Sequence, residues 1–414
     1  MSETYDFLVG TFNTPQLYTL RFTPPSSSAP DSGSLKILHR ASAVGSHSWL
    51  HLNPPKPNSR RNLYATAWTE PPSVVAYAVN SPTDIQLLGS ALTRSRSGYV
   101  TASDIALYSA GGASGEVFSL NPETGNIVPP CAANGTTATQ SSPQVRPLQL
   151  LSFLDDNAQR DDGSVMDFGG LRHGAHSADL SLDGKAVYIA DIGRNCIWTY
   201  SVDPKTGALT LGEKHISPRP TDGPRHVWPH PSGQFVYCLQ EHTSIVDVFS
   251  TSNGGVKLKH EQGVRIIPAE EKEGDYWADE VRTSLSHGDQ PKYLYASTRG
   301  LKNGKNGYVA VYKLTCEGRI DTSVTPHHSY AKGASSRSES SLYAGLLYMW
   351  ESPTSGGWAN AVQPGPTVDG IEYLALTDSE QGFVFVMSWD GKEMKEVART
   401  KLDDDAGTAT AVWL

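Results

Sequence analysis

The chain has 414 residues and a formal net charge of −9, and only 19% of its residues are charged. This low charged fraction argues against a coiled coil or a charged disordered chain, and the negative balance argues against a broad nucleic-acid surface. No apolar run approaches the roughly 18 residues that span a membrane, and the N-terminus lacks the basic and apolar regions of a signal peptide. Two of the four cysteines, Cys196 and Cys238, lie in strand-like runs, so we expect buried free thiols and a cytoplasmic location.

The 38 glycines and 27 prolines favour many short strands joined by turns. An internal repeat shows how these strands are arranged along the chain. Residues 174–203 can be aligned with residues 223–250. Both segments begin with small residues and contain three strands, with a polar junction between the second and third strands. A fourth strand follows each of them after a glycine-containing hairpin. His176 and Arg225 fall at the same position of the repeat, 49 residues apart.

In chain order, two strands at 5–12 and 17–22 come first, and the chain ends in an isolated inner strand at 408–414. Between them lie six repeat units, at 46–79, 97–120, 174–203, 223–250, 278–314 and 358–390. If the last strand completes the first sheet, the termini are joined and the ring has no open edge. The sequence therefore predicts an all-β protein, a seven-bladed β-propeller of four-stranded antiparallel blades whose C-terminal strand completes the N-terminal blade.

The repeat also predicts a single domain over residues 1–414. Two units are longer than the others, and their extra segments, at about 130–172 and 320–357, are rich in serine, threonine and glycine, so they are interpreted as surface loops. A pair of β-sandwiches is the alternative fold, but the regular four-strand period favours the propeller. No segment is predicted to form a helix longer than a loop turn.

In a propeller, the starts of the innermost strands and the junctions between second and third strands crowd one mouth of the central channel. Polar or aromatic residues occupy both positions in most repeats. The strand-start residues are His47, His176, Arg225, Asp279 and Asn360, and the junction residues are Trp68, Asp191, Glu241, Arg299 and Asp378. Some also have a plain structural interpretation, since His47 can pack beside Trp49 and the aspartates fit Asx turns.

Four of these residues lie in three consecutive blades: His176, Arg225, Glu241 and Arg299. Two guanidiniums at one channel mouth can clamp a substrate with several carboxylates or a phosphate. The histidine and the glutamate supply a proton donor and acceptor near neutral pH. Because the protein as a whole is acidic, we expect this mouth to concentrate positive charge for a small anionic substrate. His226, by contrast, is interpreted as an ordinary strand or turn histidine.

Several segments carry a resemblance to a known family. GAHSADLSLDG at 174–184, GPRHVWPHPSGQFVYCLQE at 223–241 and YASTRG at 295–300 resemble the seven-bladed lactonase-type propeller superfamily. That superfamily includes 6-phosphogluconolactonases and the eukaryotic 3-carboxy-cis,cis-muconate lactonizing enzymes. SPTSGGWANAVQPGP at 352–366 and EYLALTDSEQGFVFVMSW at 372–389 are similar to the fungal carboxymuconate cyclases within it.

The resemblance implies a cofactor-free cycloisomerase that lactonizes 3-carboxy-cis,cis-muconate in aromatic catabolism, in the protocatechuate branch of the β-ketoadipate pathway. It implies that Arg225 and Arg299 bind carboxylates and stabilise transition-state charge, and that His176 or Glu241 supplies the proton. Six further residues are expected to bind the substrate: His47, Trp68, Asp191, Asp279, Trp358 and Asn360. No metal is expected, and the oligomeric state is left open between monomer and homo-oligomer.

Two other functions fit the same sequence. A lactonase would hydrolyse a sugar or 6-phosphogluconate-type lactone in the same pocket and would use the arginines to bind the phosphate. A non-catalytic propeller would serve as an interaction platform, because a fold alone does not determine a function. In the first case gluconolactones release acid, and in the second the charged residues at the channel mouth are dispensable.

Overall fold

The computed structural model describes residues 3–26, 33–55, 61–130, 145–154, 174–285, 290–325, 330 and 340–414. These residues contain no helix of the length and apolar character that crossing a membrane requires. A short 3-10 turn lies at Glu273–Asp275. The strands of the described residues, in chain order, are β1 (Tyr5–Thr11), β2 (Gln16–Thr23), β3 (Ser34–Ser42), β4 (Leu50–Leu52), β5 (Arg61–Ala67), β6 (Ser73–Ser81), β7 (Asp84–Leu92), β8 (Tyr99–Ala102), β9 (Ala106–Gly111), β10 (Ser114–Leu120), β11 (Ile127–Val128), β12 (Gln149–Ser152), β13 (Ala175–Leu180), β14 (Ala186–Asp191), β15 (Cys196–Val202), β16 (Leu209–Ile216), β17 (Pro224–Pro229), β18 (Phe235–Gln240), β19 (Ile245–Ser252), β20 (Lys257–Arg265), β21 (Tyr276–Thr283), β22 (Tyr293–Gly300), β23 (Tyr308–Lys313), β24 (Leu346–Glu351), β25 (Val362–Val368), β26 (Ile371–Thr377), β27 (Phe383–Trp389), β28 (Met394–Lys401) and β29 (Thr408–Trp413).

In the part of the chain that the structure describes, these strands form seven antiparallel sheets, the blades of a propeller. From the innermost strand outward, the blades are β29-β1-β2-β3, β4-β5-β6-β7, β8-β9-β10-β11, β13-β14-β15-β16, β17-β18-β19-β20, β21-β22-β23-β24 and β25-β26-β27-β28. The first blade joins both ends of the chain, because β29 pairs with β1 and Val412 lies opposite Leu8. The predicted fold and its closure by the C-terminal strand are therefore confirmed.

The hydrophobic core lies between neighbouring blades. Phe7 of the first blade and Tyr373 of the seventh belong to one buried cluster, and each large apolar side chain of this kind stabilises the fold by roughly 1.5–3 kcal/mol. A middle strand is covered on both faces, which explains why Phe235–Gln240 is almost continuously apolar and not alternating. Cys196 and Cys238 are buried thiols outside any disulfide, as the sequence predicts.

Both predicted loop insertions contain strands, which corrects their interpretation as surface loops. In the first, β12 pairs with one end of β10, and the two-residue strand β11, which precedes the insertion, pairs with the other end. The two strands together cover the outer edge of β10, which would otherwise present unpaired backbone groups. In the second, β24 is the fourth strand of the sixth blade. The segments 131–144, 155–173, 326–329 and 331–339 of these insertions lie outside the described residues.

Candidate active site

Three consecutive blades have a β-bulge at the start of the innermost strand. In β13, Ala175 and Ser177 pair with consecutive residues of β14, so His176 is the extra residue. Arg225 occupies the same bulged position in β17, and Asp279 occupies it in β21. A bulge redirects the side chain of the extra residue. The structure therefore gives these three predicted site residues equivalent positions.

The starts of the seven innermost strands meet around a cavity of about 90 Å³. Every blade contributes to the wall of this cavity. One lining residue from each, in order from the second blade round to the first, is Trp49, Gly98, His176, Arg225, Asp279, Ala361 and Thr410. Trp68 also lines the cavity, so four of the predicted site residues share it. The prediction that inner-strand starts converge on one channel mouth agrees with this geometry.

Arg225 donates three hydrogen bonds at the wall of the cavity. Its guanidinium is buried, with 7% of the residue exposed. Nη2 donates to Asp279 Oδ1 at 2.6 Å, Nε donates to the Asp279 carbonyl oxygen at 3.1 Å, and Nη1 donates to Glu241 Oε2. Burial opposes the charge of Arg225, but the two carboxylates outweigh burial and raise its pKa above the usual value. Arg225 is therefore a fixed cation held between the fifth and sixth blades.

Arg299 lies close to this group but is bonded differently. It is also 7% exposed, and its guanidinium stands over the Trp277 ring, 5.0 Å from the centroid. Within the described residues its Nε has no hydrogen-bond partner and no carboxylate lies within ion-pair distance. Burial lowers the pKa of Arg299, and the charge of Arg225 lowers it as well, against the opposite effect of Asp279 and Glu241. Arg299 is not among the residues that line the cavity, but its N–H groups make no hydrogen bond within the described residues.

The four charged groups of this cluster balance one another. The guanidiniums of Arg225 and Arg299 are matched by the carboxylates of Glu241 and Asp279, so the cluster has no net charge when all four are ionised. This differs from the concentration of positive charge expected from the sequence. The difference arises because two carboxylates, those of Glu241 and Asp279, lie in ion-pair contact with Arg225 and offset the charge of the two guanidiniums.

His176 is half-buried and lines the cavity. Its ring lies 5.2 Å, between centroids, from the ring of His226, which lines the same cavity. His226 follows directly after the bulged Arg225, and sequence reasoning assigned it no site role. The cavity therefore contains two neighbouring imidazoles.

Aromatic residues form another part of the wall. Phe12 and Trp68 line the cavity with their rings 5.4 Å apart, and Trp68 Nε1 donates to the Ser97 carbonyl oxygen at 3.0 Å. The exposed guanidinium of Arg96 stands 5.1 Å from the Trp68 ring. Arg96 was missed in the sequence, because it precedes the short strand β8 in a loop without a repeat signal.

Two predicted substrate-binding residues, His47 and Asp191, are internal and do not line the cavity. His47 Nδ1 donates to the Thr66 carbonyl oxygen at 2.6 Å, and its Nε2 lies 2.9 Å from the Tyr77 hydroxyl. Asp191 is buried and accepts three hydrogen bonds, two from Arg194 and one from Trp198. These contacts match the structural interpretations, packing for His47 and a turn for Asp191.

Asn360 and Trp358 lie in the loop before β25. The Asn360 backbone N–H donates to Asp279 Oδ2, and its Nδ2 donates to the Thr298 carbonyl oxygen at 2.9 Å. Asn360 therefore supports Asp279, which in turn holds Arg225. Trp358 is 74% exposed, and its backbone N–H donates to Ser379 Oγ at 2.6 Å. Neither side chain lines the cavity.

We expect His47 to make the fold sensitive to acid. Burial lowers its pKa to about 4, whereas an unfolded chain binds the proton near pH 6.5. The unfolded state therefore binds more protons between these values, and the free energy of unfolding falls as the pH decreases, by up to roughly 3 kcal/mol from this residue. Urea unfolding at pH 7 and pH 4.5 measures the loss, and a His47→Gln variant should show a smaller one. An equal loss in both proteins would contradict the assignment.

A larger cavity of about 350 Å³ lies at the opposite end of the channel. Tyr99 and Arg282 line it, and Tyr99 also stacks on Trp49 of the smaller cavity, with 3.7 Å between ring centroids. These side chains therefore stand between the two cavities. We place the candidate site in the smaller cavity because it brings together His176 and Arg225, and none of the predicted site residues lines the larger one.

Comparison with known proteins gives consistent matches. A family model described as "Lactonase, 7-bladed beta-propeller" matches residues 6–332. Muconate cycloisomerase 1 of Cutaneotrichosporon cutaneum is 37% identical, covering 99% of this chain and 98% of that protein. Carboxy-cis,cis-muconate cyclase of Neurospora crassa is 28% identical, over 55% of this chain and 56% of that protein. The family resemblance identified in the sequence is thereby confirmed.

A solved structure supports the fold. A putative 6-phosphogluconolactonase from Bacteroides fragilis has a TM-score of 0.69 and 18% identity, covering 99% of this chain and 98% of that one. At this level of identity the similarity concerns the arrangement of strands. The choice between reaction types therefore depends on the site residues.

Proposed function

Because this chain belongs to the lactonase family of seven-bladed β-propellers, we propose that it is a cofactor-free cycloisomerase that lactonizes 3-carboxy-cis,cis-muconate. The observation that carries the proposal is the cavity in which the bulged residues His176 and Arg225 meet, beside the available guanidinium of Arg299. The full-length relative with the name muconate cycloisomerase supports the reaction class. The proposal includes a cytoplasmic role in aromatic catabolism, which rests on the family resemblance.

The proposed reaction is an intramolecular addition. One carboxylate oxygen of the substrate forms a C–O bond to a carbon of the conjugated diene, and the π electrons move toward a neighbouring carboxylate. The adjacent carbon then takes up one proton, and no group leaves. Three carboxylates become two carboxylates and a lactone, so each turnover consumes one proton. Negative charge accumulates on the neighbouring carboxylate in the transition state, where fixed cations stabilise it more than in the ground state.

Arg299 and Arg225 have different parts in this proposal. A guanidinium has five N–H groups, and Arg225 uses three of them on Glu241 and Asp279, which leaves two for a substrate. Arg299 uses none of its N–H groups on an acceptor in the described residues. We therefore assign the main substrate carboxylate contact to Arg299 and the positioning of a second one to Arg225.

The proton is assigned to His176. Glu241 is buried, and its carboxylate accepts from the Arg225 guanidinium, so its contact is with Arg225 and it is not among the residues that line the cavity. His176 lines the cavity, and imidazole is the side chain whose ordinary pKa lies closest to neutral pH. In this arrangement Glu241 serves the reaction through Arg225. The aromatic wall formed by Phe12 and Trp68 offers a surface for a planar diene.

The proposal is tested by offering the purified protein three substrates in parallel. With 3-carboxy-cis,cis-muconate, the diene absorbance should decay in proportion to the enzyme concentration. With gluconolactone and 6-phosphogluconolactone, acid release should stay at the uncatalysed rate. Acid release from either lactone, together with a stable diene absorbance, would replace the cycloisomerase with a lactonase. Inactivity on all three at high enzyme concentration would contradict both.

A further inference from the structure

The fifth blade presents a second histidine to the candidate site. His226 is 3% exposed and lines the cavity together with His176 and Arg225. Its Nδ1 lies 2.9 Å from Glu280 Oε1, and its Nε2 has no hydrogen-bond partner in the described residues. A buried imidazole nitrogen without a partner is uncommon, because it has lost its contact with water without replacement. The atom is therefore a candidate contact for a molecule that enters the cavity.

Glu280 is held in place from several sides, and this fixes the imidazole. Its Oε1 also accepts from the Val281 backbone N–H at 3.0 Å and lies 2.8 Å from Arg282 Nη1. The Arg282 guanidinium stands over the rings of Trp49 and Trp228, at 5.2 and 4.3 Å from their centroids. A carboxylate in these contacts acts as an acceptor, so Nδ1 of His226 is the donor. Nε2 is then the nitrogen that a ligand can reach.

The charged groups around His226 determine the net charge that an anionic ligand meets in the cavity. Arg225 and Arg299 are balanced by Glu241 and Asp279, and Arg282 balances Glu280. With neutral histidines, the region therefore has no excess positive charge for a ligand with several carboxylates. A proton taken up by an imidazole at the cavity wall is the available source of that charge.

We propose that His226 is a ligand-binding residue that takes up a proton when a polycarboxylate enters the cavity and then donates from Nε2 to one of its carboxylates. The chemical class of the natural ligand rests on the proposed function. In the free protein, burial lowers the pKa of His226. Glu280 opposes this shift only in part, and the charges of Arg225 and Arg282 lower the pKa further. A bound carboxylate acts in the opposite direction, because it favours the charged imidazole. His176 and Tyr99 also face this ring, and behind Tyr99 lies the buried carboxylate of Asp179, which accepts from the Tyr99 hydroxyl at 2.5 Å.

Calorimetry with tricarballylate, a tricarboxylate without a diene, tests the proposal without catalysis. Titrations at neutral pH in buffers of different ionisation enthalpy count the protons taken up on binding, and we expect about one for the unmodified protein. His226→Asn should lose most of this uptake and bind roughly tenfold more weakly. His176→Asn should keep the uptake. The matched control, His39→Asn on the outer strand β3, should behave as the unmodified protein does.

Uptake that persists in His226→Asn, or no binding of tricarballylate at all, would overturn the proposal. If that variant does not fold, ¹⁵N-histidine spectra of the unmodified protein give the answer. One imidazole Nε2 resonance should move from a neutral to a protonated position on titration, and unchanged spectra would count against His226. The outcome is separable from the proposed function, since a protein that binds tricarballylate with proton uptake but leaves carboxymuconate unchanged would refute only the latter.

Discussion

Replacing Arg225 with methionine is expected to abolish most activity and to destabilise the fold as well. The substitution leaves the buried carboxylates of Glu241 and Asp279 without their shared cation. Removing one partner of a buried ion pair typically costs about 3–5 kcal/mol of stability, and removing a donor at the transition state lowers kcat/KM by roughly a hundredfold to a thousandfold. Denaturant unfolding and steady-state kinetics on 3-carboxy-cis,cis-muconate measure the two effects.

Arg299→Met is the matched control for this prediction. Arg299 is as deeply buried as Arg225, but it has no ion pair in the described residues to lose. We expect a similar loss of kcat/KM with little change in stability, because the substitution breaks no hydrogen-bonded ion pair. Equal destabilisation by both substitutions would contradict the charge pairing described for the site. Near-normal kinetics in both would show that the arginines do not contact the reacting substrate.

The second large effect is expected for His176→Asn. If His176 donates the proton to the substrate carbon, kcat should fall by roughly a hundredfold to ten-thousandfold, since general acid catalysis contributes about that much. KM should change little, because the arginines provide most of the binding. The pH profile of kcat should also lose one inflection.

Glu241→Gln separates this assignment from its alternative. The amide keeps the shape of the side chain but removes the charge that holds Arg225. If Glu241 acts only through Arg225, this variant should retain more activity than His176→Asn, and its pH profile should keep the inflection. A His176→Asn enzyme with normal kcat, alongside an inactive Glu241→Gln enzyme, would transfer the proton donor role to Glu241.

Much of the architecture could be predicted because the repeat is visible in the sequence. The shared position of His176 and Arg225 in two aligned units becomes a shared β-bulge in the structure. The isolated last strand predicted the pairing of β29 with β1. Both inferences depend on local spacing, which sequence periodicity reports directly.

Contacts between blades could not be predicted in the same way. The ion pairs of Arg225 with Glu241 and Asp279 depend on where side chains end after the blades pack, and spacing along the chain does not give that distance. The position of His226 was missed for a related reason. Strict alternation would turn it away from the channel if Arg225 faces the channel, but the bulge brings both into one cavity. In the next blade, Asp279 and Glu280 are likewise two consecutive polar residues at a bulge. This pair of polar residues is the sequence signal that could have identified the position of His226.

In the proposed reaction, the site closes a lactone by adding a carboxylate to a diene and a proton to the neighbouring carbon. Proton NMR of the product formed from 3-carboxy-cis,cis-muconate in D₂O tests it most directly. We expect the diene resonances to disappear in an enzyme-dependent way, and the product to carry one solvent-derived deuterium on the carbon next to the new C–O bond. Unchanged diene resonances after prolonged incubation, or a product without that deuterium, would contradict it.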